Sequence, residues 1–332
     1  MAKPQPAPLT VHLRLPGSQQ AGYADLGQIL SILNRRAMRQ GYQYAVSNFT
    51  LYAGSGVSGR VLIEKLPDTW MTSGGYKKAL TRWLKQQNEV VQDAGAESAV
   101  AKFRDFKVFM DTTHVAAGFG ANLLPQTSSL VGAGGISNAV PGEWQPSQIV
   151  VPNVLNVDGT STTEPQTEPI EYYLHMVGAN NNAGISRGII EGYADSRAFP
   201  QSPDPVSPTL ANSDNWMRAM FDVGNDNPMI INNATETNDE LPYTQIDYPG
   251  GENQLSNLQL HGLADFSGGT TGQNRVSTAV ASINGGVFNC GLFKINKETG
   301  GLSNSADTVL DVLIQLVPGP YRGYMAQPMR DV

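Results

Sequence analysis

Helical periodicity is confined to two stretches in the first third of the chain, and this limits the fold more than any other feature. Within residues 25–41, apolar side chains recur at the i, i+3, i+4, i+7 spacing of one helix face, with Asp25 placed to cap the helix and Gly41 to end it. The same spacing recurs within residues 76–91. Because no helical pattern follows residue 111, the sequence favours a β-sandwich over the strand–helix alternation of α/β folds.

Short stretches rich in β-branched and aromatic residues fill much of the remaining chain, separated by Gly, Pro and Asn. This pattern predicts strands at residues 9–15, 42–52, 60–66, 102–110, 148–151, 170–177, 255–261, 276–283, 287–295 and 308–317. The glycine-rich segment 53–59 predicts a hairpin between the strands on either side of it. We therefore expect an all-β fold: a single jelly-roll β-sandwich with two short helices in connections and long loop insertions.

One domain is expected to hold most of these strands. We predict a short amino-terminal tail at residues 1–8, the jelly-roll domain at residues 9–320 and a carboxy-terminal tail at residues 321–332. The domain carries a surface insertion at about residues 178–251, which contains ten acidic residues, three arginines and no lysine. A connection this long in a compact domain usually carries function or faces a partner.

The sequence fits neither a membrane-spanning protein nor a protein with an intramolecular disulfide. The chain has neither a run of about 18 apolar residues nor the apolar stretch of a secretory signal peptide at its amino terminus, so no membrane partner is expected. Its one cysteine, Cys290, excludes an intramolecular disulfide, and its apolar neighbours predict a buried, inert thiol.

Charge is distributed unevenly along the sequence. Residues 1–110 contain 14 basic and 7 acidic side chains, whereas residues 111–332 contain 8 and 22. Such a chain can present a basic face to one environment and an acidic face to another. Ordinary variation in surface charge gives the same count, since sequence halves need not correspond to molecular faces.

Two groups of cations are candidates for binding nucleic acid. The first, Arg35, Arg36 and Arg39, falls in the last turn of the first predicted helix, and guanidinium groups match phosphate oxygens. Tyr42 and Tyr44 follow, and tyrosine rings can stack on bases. The second group comprises Lys77, Lys78, Arg82 and Lys85 on the second helix. The alternative for both is structural: cations complement the dipole at a helix end or form its solvated face.

Two short motifs match enzyme patterns without the context that the chemistry requires. Gly54, Gly56 and Gly59 fit a dinucleotide-binding G-x-G-x-x-G, but the residues that follow favour a strand where a helix is needed. Gly184-Ile-Ser186-Arg-Gly188 fits a nucleophile elbow, with His261 downstream, but an Asn-rich loop sequence precedes it. We therefore predict a protein that is not an enzyme and keep an esterase-like hydrolase using Ser186 as a third hypothesis.

No cofactor is expected, with calcium as the alternative. The four histidines are scattered and show no metal-binding spacing. Oxygen ligands of the kind that calcium prefers are clustered in the insertion, at Asp222, Asp226, Asp239 and Glu240. In most proteins such Asx-rich turns hold local backbone hydrogen bonds instead.

Five stretches of the sequence resemble one family. They are Ser47-Asn-Phe-Thr-Leu-Tyr-Ala-Gly-Ser-Gly56, Lys65-Leu-Pro-Asp-Thr-Trp70, Tyr76-Lys-Lys-Ala-Leu-Thr-Arg-Trp83, Phe103-Arg-Asp-Phe-Lys107 and Gly118-Phe-Gly-Ala-Asn-Leu-Leu-Pro125. Together they resemble capsid proteins of small circular single-stranded DNA viruses, of the marine type, that encode a rolling-circle replication protein. The resemblance is sharp over about residues 40–125.

The resemblance implies a jelly-roll coat protein that self-assembles into an icosahedral shell around a single-stranded DNA genome, located in the virion and, during assembly, in the host cell. Many such proteins begin with a long basic arm, whereas residues 1–13 here contain only Lys3. Neutralisation of the genome then falls to folded basic patches or to counterions. We expect the basic residues named above to face the lumen and the acidic insertion to lie outside, where it can meet a host surface receptor.

The alternative function is a glycan-binding β-sandwich module or a fibre or tail component. Its candidate stacking platforms are Tyr172, Tyr173 and Trp216. Burial of these aromatic side chains in the core is the competing interpretation.

Overall fold

The structure is a computed structural model that describes residues 7–54, 57–95, 104–128, 136–151, 170–198, 216–219, 257–266, 279–298 and 309–332. The chain divides into two compact units. The first comprises Met1–Leu66, Ala117–Gln145 and Leu258–Val332, and the second comprises Pro67–Ala116 and Pro146–Asn257.

Strands dominate the described residues. They are β1 (Thr10–Leu15), β2 (Ala21–Asp25), β3 (Tyr42–Ala53), β4 (Gly59–Lys65), β5 (Gln126–Ser128), β6 (Ile136–Asn138), β7 (Gln148–Val151), β8 (Ile170–His175), β9 (Asn181–Asn182), β10 (Ser186–Gly188), β11 (Gln259–Phe266), β12 (Ala279–Phe288), β13 (Leu292–Lys297), β14 (Leu310–Leu316), β15 (Pro318–Gly319), β16 (Gly323–Tyr324) and β17 (Ala326–Pro328). Helices are few: α1 (Leu26–Asn34), α2 (Trp70–Asp93), α3 (Thr112–Ala117), α4 (Ile189–Ala198) and α5 (Trp216–Ala219). The prediction of a mostly β protein is confirmed. The expectation of two short helices is wrong, because α2 spans 24 residues and α3, α4 and α5 were not predicted. No described helix combines the length and apolar character needed to cross a membrane.

The first unit is built on two antiparallel sheets in a sandwich-like arrangement. One has the strand order β1-β14-β3-β12, with β17 also paired to β3, and the other has the order β11-β4-β13-β2. The predicted hairpin of β3 and β4 is wrong, because β3 pairs with β12 and β14 while β4 pairs with β11 and β13. The glycine-rich segment between them therefore joins the two sheets.

Alternating side chains of both sheets form a single apolar core in the first unit. On β1, Val11, Leu13 and Leu15 are buried, as the alternation in sequence predicts. Three phenylalanines join the sheets: Phe49 of β3, Phe288 of β12 and Phe293 of β13. Their ring centroids are 5.4–5.5 Å apart. Cys290 is also buried, and burial raises the pKa of its thiol, as expected for an inert side chain.

Helix α1 begins where the sequence predicts and ends earlier. The Asp25 carboxylate accepts hydrogen bonds from the backbone N–H groups of Gly27 at 2.8 Å and Gln28 at 3.3 Å, which makes it the amino-terminal cap. The helix ends at Asn34 rather than Gly41, because Arg35 takes a left-handed conformation with φ 51°. The expectation that the three arginines lie in its last turn is therefore wrong.

The second unit combines a small sheet with helices. Its strand order is β7-β8-β10-β9, and β8 and β10 run parallel. Helix α2 packs on α4, where a Cβ at Gly74 would lie 3.0 Å from the Tyr193 ring. The strand predicted at residues 102–110 is wrong over residues 104–108, which form no strand; only Phe109 makes a bridge, to His175.

The predicted carboxy-terminal tail is folded, whereas the predicted insertion is described only in part. Residues 321–332, suggested by the sequence as a tail, contribute β16 and β17 and bury Tyr324 and Met329. Of the insertion at 178–251, residues 178–198 and 216–219 are described; the remainder lies outside the described residues.

Candidate nucleic-acid interface

Three arginines of the first predicted basic group lie on the segment that follows α1. Arg35 and Arg36 are exposed and Arg39 is half-buried. The segment folds back on the helix, since the Met38 N–H donates to Ser31 Oγ at 2.8 Å. The guanidinium groups thus extend from an ordered turn.

A fourth arginine, Arg322, joins this segment from the carboxy-terminal region. It lies in the tight turn between β15 and β16, where Tyr321 and Tyr324 exchange two backbone hydrogen bonds of 2.9 Å. Arg322 is exposed, has φ 51°, and its Nη1 donates to the carbonyl oxygen of Ala37. Arg322 could not be predicted as part of this group, because nothing in the sequence relates its turn to the α1 segment.

Two tyrosine rings stack beside these arginines. The rings of Tyr42 and Tyr321 have centroids 4.0 Å apart and an interplanar angle of 20°. Tyr321 Oη accepts a hydrogen bond from the Arg39 backbone N–H at 3.3 Å, and the Arg322 guanidinium lies 5.9 Å from the Tyr321 ring centroid. We call Arg35, Arg36, Arg39, Arg322, Tyr42 and Tyr321 the arginine–tyrosine cluster.

Tyr44, the other tyrosine expected to meet bases, has a structural role. It is buried, and its hydroxyl donates to the carbonyl oxygen of Arg39 at 2.6 Å. Its ring therefore supports the arginine segment from below and is closed to a ligand.

Tyr324 anchors the turn that carries Arg322. Its buried hydroxyl accepts from Asn34 Nδ2 at 2.9 Å and donates to the carbonyl oxygen of Pro8 at 2.9 Å. One hydroxyl thereby links the end of α1, the carboxy-terminal turn and the start of the described chain. Burial raises the pKa of Tyr324, and also that of Tyr321, so both phenols stay neutral and can donate hydrogen bonds.

The second predicted basic group, on α2, is only partly a surface. Lys77 and Lys85 are exposed, and Lys85 pairs with Glu89 at 3.6 Å. Lys78 lies over the Tyr193 ring, 5.6 Å from its centroid. Arg82 is buried, and burial lowers its pKa, so it does not belong to an exposed patch as predicted.

The burial of Arg82 follows from its helix position. It stands at i+7 from Gly75 and i+3 from Ala79, both of which are on the buried face of α2. The α2 cations also belong to the second unit, whereas the arginine–tyrosine cluster belongs to the first.

Ser186 meets a histidine, but a different one from that expected. Its Oγ lies 3.0 Å from His175 Nδ1 and accepts from Asn182 Nδ2 at 3.1 Å. His175 Nε2 lies 3.0 Å from the carbonyl oxygen of Ala179, so Nε2 carries the imidazole proton and donates it in a hydrogen bond to this oxygen. The unprotonated Nδ1 accepts a hydrogen bond from the Ser186 hydroxyl. The downstream His261 instead places Nε2 2.9 Å from the carbonyl oxygen of Asn284.

This serine–histidine pair lies in the interior of the second unit. Both side chains are fully buried, and burial lowers the pKa of His175 to about 4. A backbone carbonyl occupies the position where a catalytic triad has a carboxylate. The contacts serve to close the turn between β8 and β10.

The aromatic platforms proposed for glycans are mostly in the core. Tyr172 and Trp216 are buried and Tyr173 is half-buried. Tyr173 contacts Phe109 edge to face at 5.9 Å. The buried pair cannot stack on a sugar at the surface.

The metal-site candidates Asp222, Asp226, Asp239 and Glu240 lie outside the described residues. Within the part of the chain that the structure describes, no group of three His, Cys, Asp or Glu side chains is arranged to hold a metal ion.

Charge also differs between the two units, although less than between residues 1–110 and 111–332 of the sequence. The first unit contains 12 basic and 8 acidic side chains, a net charge of +4. The second contains 10 and 21, a net charge of −11. The arginine–tyrosine cluster therefore lies in the unit whose overall charge favours a polyanion.

Comparison with known proteins adds no relative. No family model matches this chain, and neither a curated protein nor a solved structure shows a significant match to it.

Proposed function

We propose that this protein is a viral coat protein: a jelly-roll subunit that self-assembles into an icosahedral shell around a single-stranded DNA genome. The strand pairing of the first unit is the observation that carries the proposal. The arginine–tyrosine cluster supplies the contact with the genome.

A jelly roll is a long antiparallel hairpin of eight strands rolled into two sheets, so its first strand pairs with the eighth, the second with the seventh, the third with the sixth and the fourth with the fifth. Apart from β17, which adds to β3, the strands of the two sheets are, in chain order, β1, β2, β3, β4, β11, β12, β13 and β14. The pairs β1–β14, β2–β13, β3–β12 and β4–β11 are all antiparallel. This order supports a jelly roll and argues against an unrelated sandwich.

Jelly rolls serve both viral shells and lectins, so the surface has to separate the two. The exposed arginines of the cluster favour a phosphate-bearing partner. The burial of Tyr172 and Trp216 removes two of the three platforms on which a glycan-binding module would depend. A coat protein is therefore the better-supported function.

The proposal also assigns sides of the shell. The arginine–tyrosine cluster faces the lumen, where it neutralises phosphates in place of a basic arm. The acidic insertion faces outward, where it can meet a host surface receptor. An assembled particle with Arg35, Arg36 and Arg322 on its outer surface would overturn this assignment.

Negative-stain electron microscopy and analytical ultracentrifugation of the purified full chain test the main proposal. We expect closed shells in the megadalton range and nucleic acid in them that resists added nuclease. Monomers or trimers at every concentration would overturn the coat-protein proposal and favour the glycan-binding or fibre component.

A further inference from the structure

We infer that the arginine–tyrosine cluster is a binding site for unpaired nucleotides, with phosphates on the arginines and a base stacked at the Tyr42–Tyr321 pair. The inference rests on the proposed function and goes further, because it names the chemical form of the ligand and brings the carboxy-terminal turn into the site.

The tyrosine pair is the first reason to expect a single strand. A base can stack on an aromatic side chain only when the face of the base is free, whereas the bases of a duplex already stack on one another. The Tyr42 and Tyr321 rings are nearly parallel, and the Arg39 N–H fixes the Tyr321 hydroxyl. Both rings are half-buried and already stack on each other, so a base would add to the outside of a pair whose geometry is fixed before any ligand arrives.

The arginines are the second reason, because they bring positive charge close to the Tyr321 ring, over which the Arg322 guanidinium lies at 5.9 Å from the centroid. Both Arg39 and Arg322 are close enough to Tyr321 to lower the pKa of its phenol, against the larger effect of burial. Arg35 and Arg36 extend the positive charge along the exposed turn. Charge beside a stacking platform is the arrangement that single-strand binding proteins share.

The backbone gives a third, independent indication. Arg35 and Arg322 both have φ 51°, a left-handed conformation that glycine adopts without steric cost. The hydrogen bond from Arg322 to the carbonyl oxygen of Ala37 joins the second position to the segment that begins at Arg35. Two arginines of the cluster are therefore held in strained conformations on two segments that contact each other, and such strain is common at functional sites.

The test measures binding of dye-labelled oligonucleotides to the full chain by fluorescence anisotropy, below the concentration at which shells sediment. The probes are a single strand of about 12 thymidines, within the usual range of site sizes, and a hairpin duplex of the same length. The variants are Arg322→Gln, Arg36→Gln and Tyr321→Leu. The control is Arg60→Gln, which removes the same charge from the same unit, where Asp265 at 2.6 Å already pairs with it.

We expect the single strand to bind at least about tenfold more tightly than the duplex, and Tyr321→Leu to weaken it about tenfold. Each arginine variant should reduce the slope of log affinity against log salt concentration by about 0.7, the value for one phosphate contact on a single strand. Arg60→Gln should bind as the parent protein does. Circular dichroism of each variant identifies any loss that comes from unfolding; Arg36→Gln, at an exposed position, keeps the test open if Tyr321→Leu unfolds.

Three results would overturn the site: equal or tighter binding of the duplex, variants that bind like the Arg60→Gln control, or no binding by the parent protein. Sedimentation of the same samples tests the coat-protein proposal separately. Shells without oligonucleotide binding refute the site and leave the shell. Binding that depends on the cluster without any shells refutes the shell and leaves the site.

Discussion

The ring of Tyr42, at the start of β3, stacks on the ring of Tyr321, in a turn near the carboxy terminus, with centroids 4.0 Å apart. The contact joins a central strand of the sandwich to the turn that holds Arg322. It therefore links the stability of the first unit to the geometry of the arginine–tyrosine cluster.

The first prediction concerns the energy of this contact. A double-mutant cycle of Tyr42→Leu and Tyr321→Leu, measured by urea unfolding, should give a coupling energy of about 0.5–1.5 kcal/mol, the usual value for an aromatic pair. The control cycle combines Tyr321→Leu with Tyr52→Leu, which lies at the other end of β3, about 30 Å away at the rise of an extended strand. The control should be additive; equal coupling in both cycles would refute a specific contact.

The second prediction concerns the left-handed conformation of Arg35. Replacement by glycine should raise the free energy of unfolding by about 0.5–1 kcal/mol. It removes a strain of about 1–2 kcal/mol, and the greater entropy of glycine in the unfolded chain offsets part of that gain in stability. Arg36→Gly, the matched control, removes the same charge at a position without positive φ and should not stabilise the protein. If Arg35→Gly were no more stable than Arg36→Gly, the strain would not exist.

Local pattern was sufficient for most strands of four or more residues and for the beginning of α1, because alternation and capping depend on neighbours in sequence. It missed β2 and the strands of two or three residues. It failed at Asn284-Gly285-Gly286, where the predicted strand ends at residue 283. The structure continues β12 through these residues to Phe288 and makes the turn at Asn289–Gly291, with Cys290 at φ 55°. Glycine here serves a close approach between strands, which local sequence does not distinguish from a turn.

In the candidate site, too, residues that are neighbours in sequence could be predicted, whereas residues brought in by folding could not. Arg35, Arg36, Arg39 and Tyr42 could be found because they are adjacent in sequence. Arg322 and Tyr321 could not, since they reach the cluster through the folding of the carboxy-terminal turn. The burial of Arg82 on α2 was missed for a related reason: a cation near an apolar stripe is usually solvated, and only packing decides otherwise.

The third prediction tests the role of Gly285. A Cβ at this position would overlap the carbonyl oxygen of Val46 on β3, so Gly285→Ala must push β12 away from β3. We expect a loss of about 1–3 kcal/mol in the free energy of unfolding, the usual cost of overpacking. Gly120→Ala is the control, because a Cβ there would meet nothing within 4 Å. Equal stability of the two variants would contradict the close approach.

The last prediction concerns the pH dependence of stability set by His175. Burial holds the pKa of this imidazole at about 4, below its ordinary 6.5, so between these values the unfolded chain binds a proton that the folded one does not. The free energy of unfolding should therefore fall by about 3 kcal/mol, at 1.36 kcal/mol per pKa unit, as the pH is lowered from about 6.5, and should level off near pH 4.

Urea midpoints measured across this range should show the fall in the parent protein and in His12→Gln, whose histidine is exposed on β1. His175→Gln should be less stable at pH 7, because Ser186 loses its acceptor, and should lack this part of the pH dependence. A slope unchanged in His175→Gln would assign the titration to other groups, such as the carboxylates.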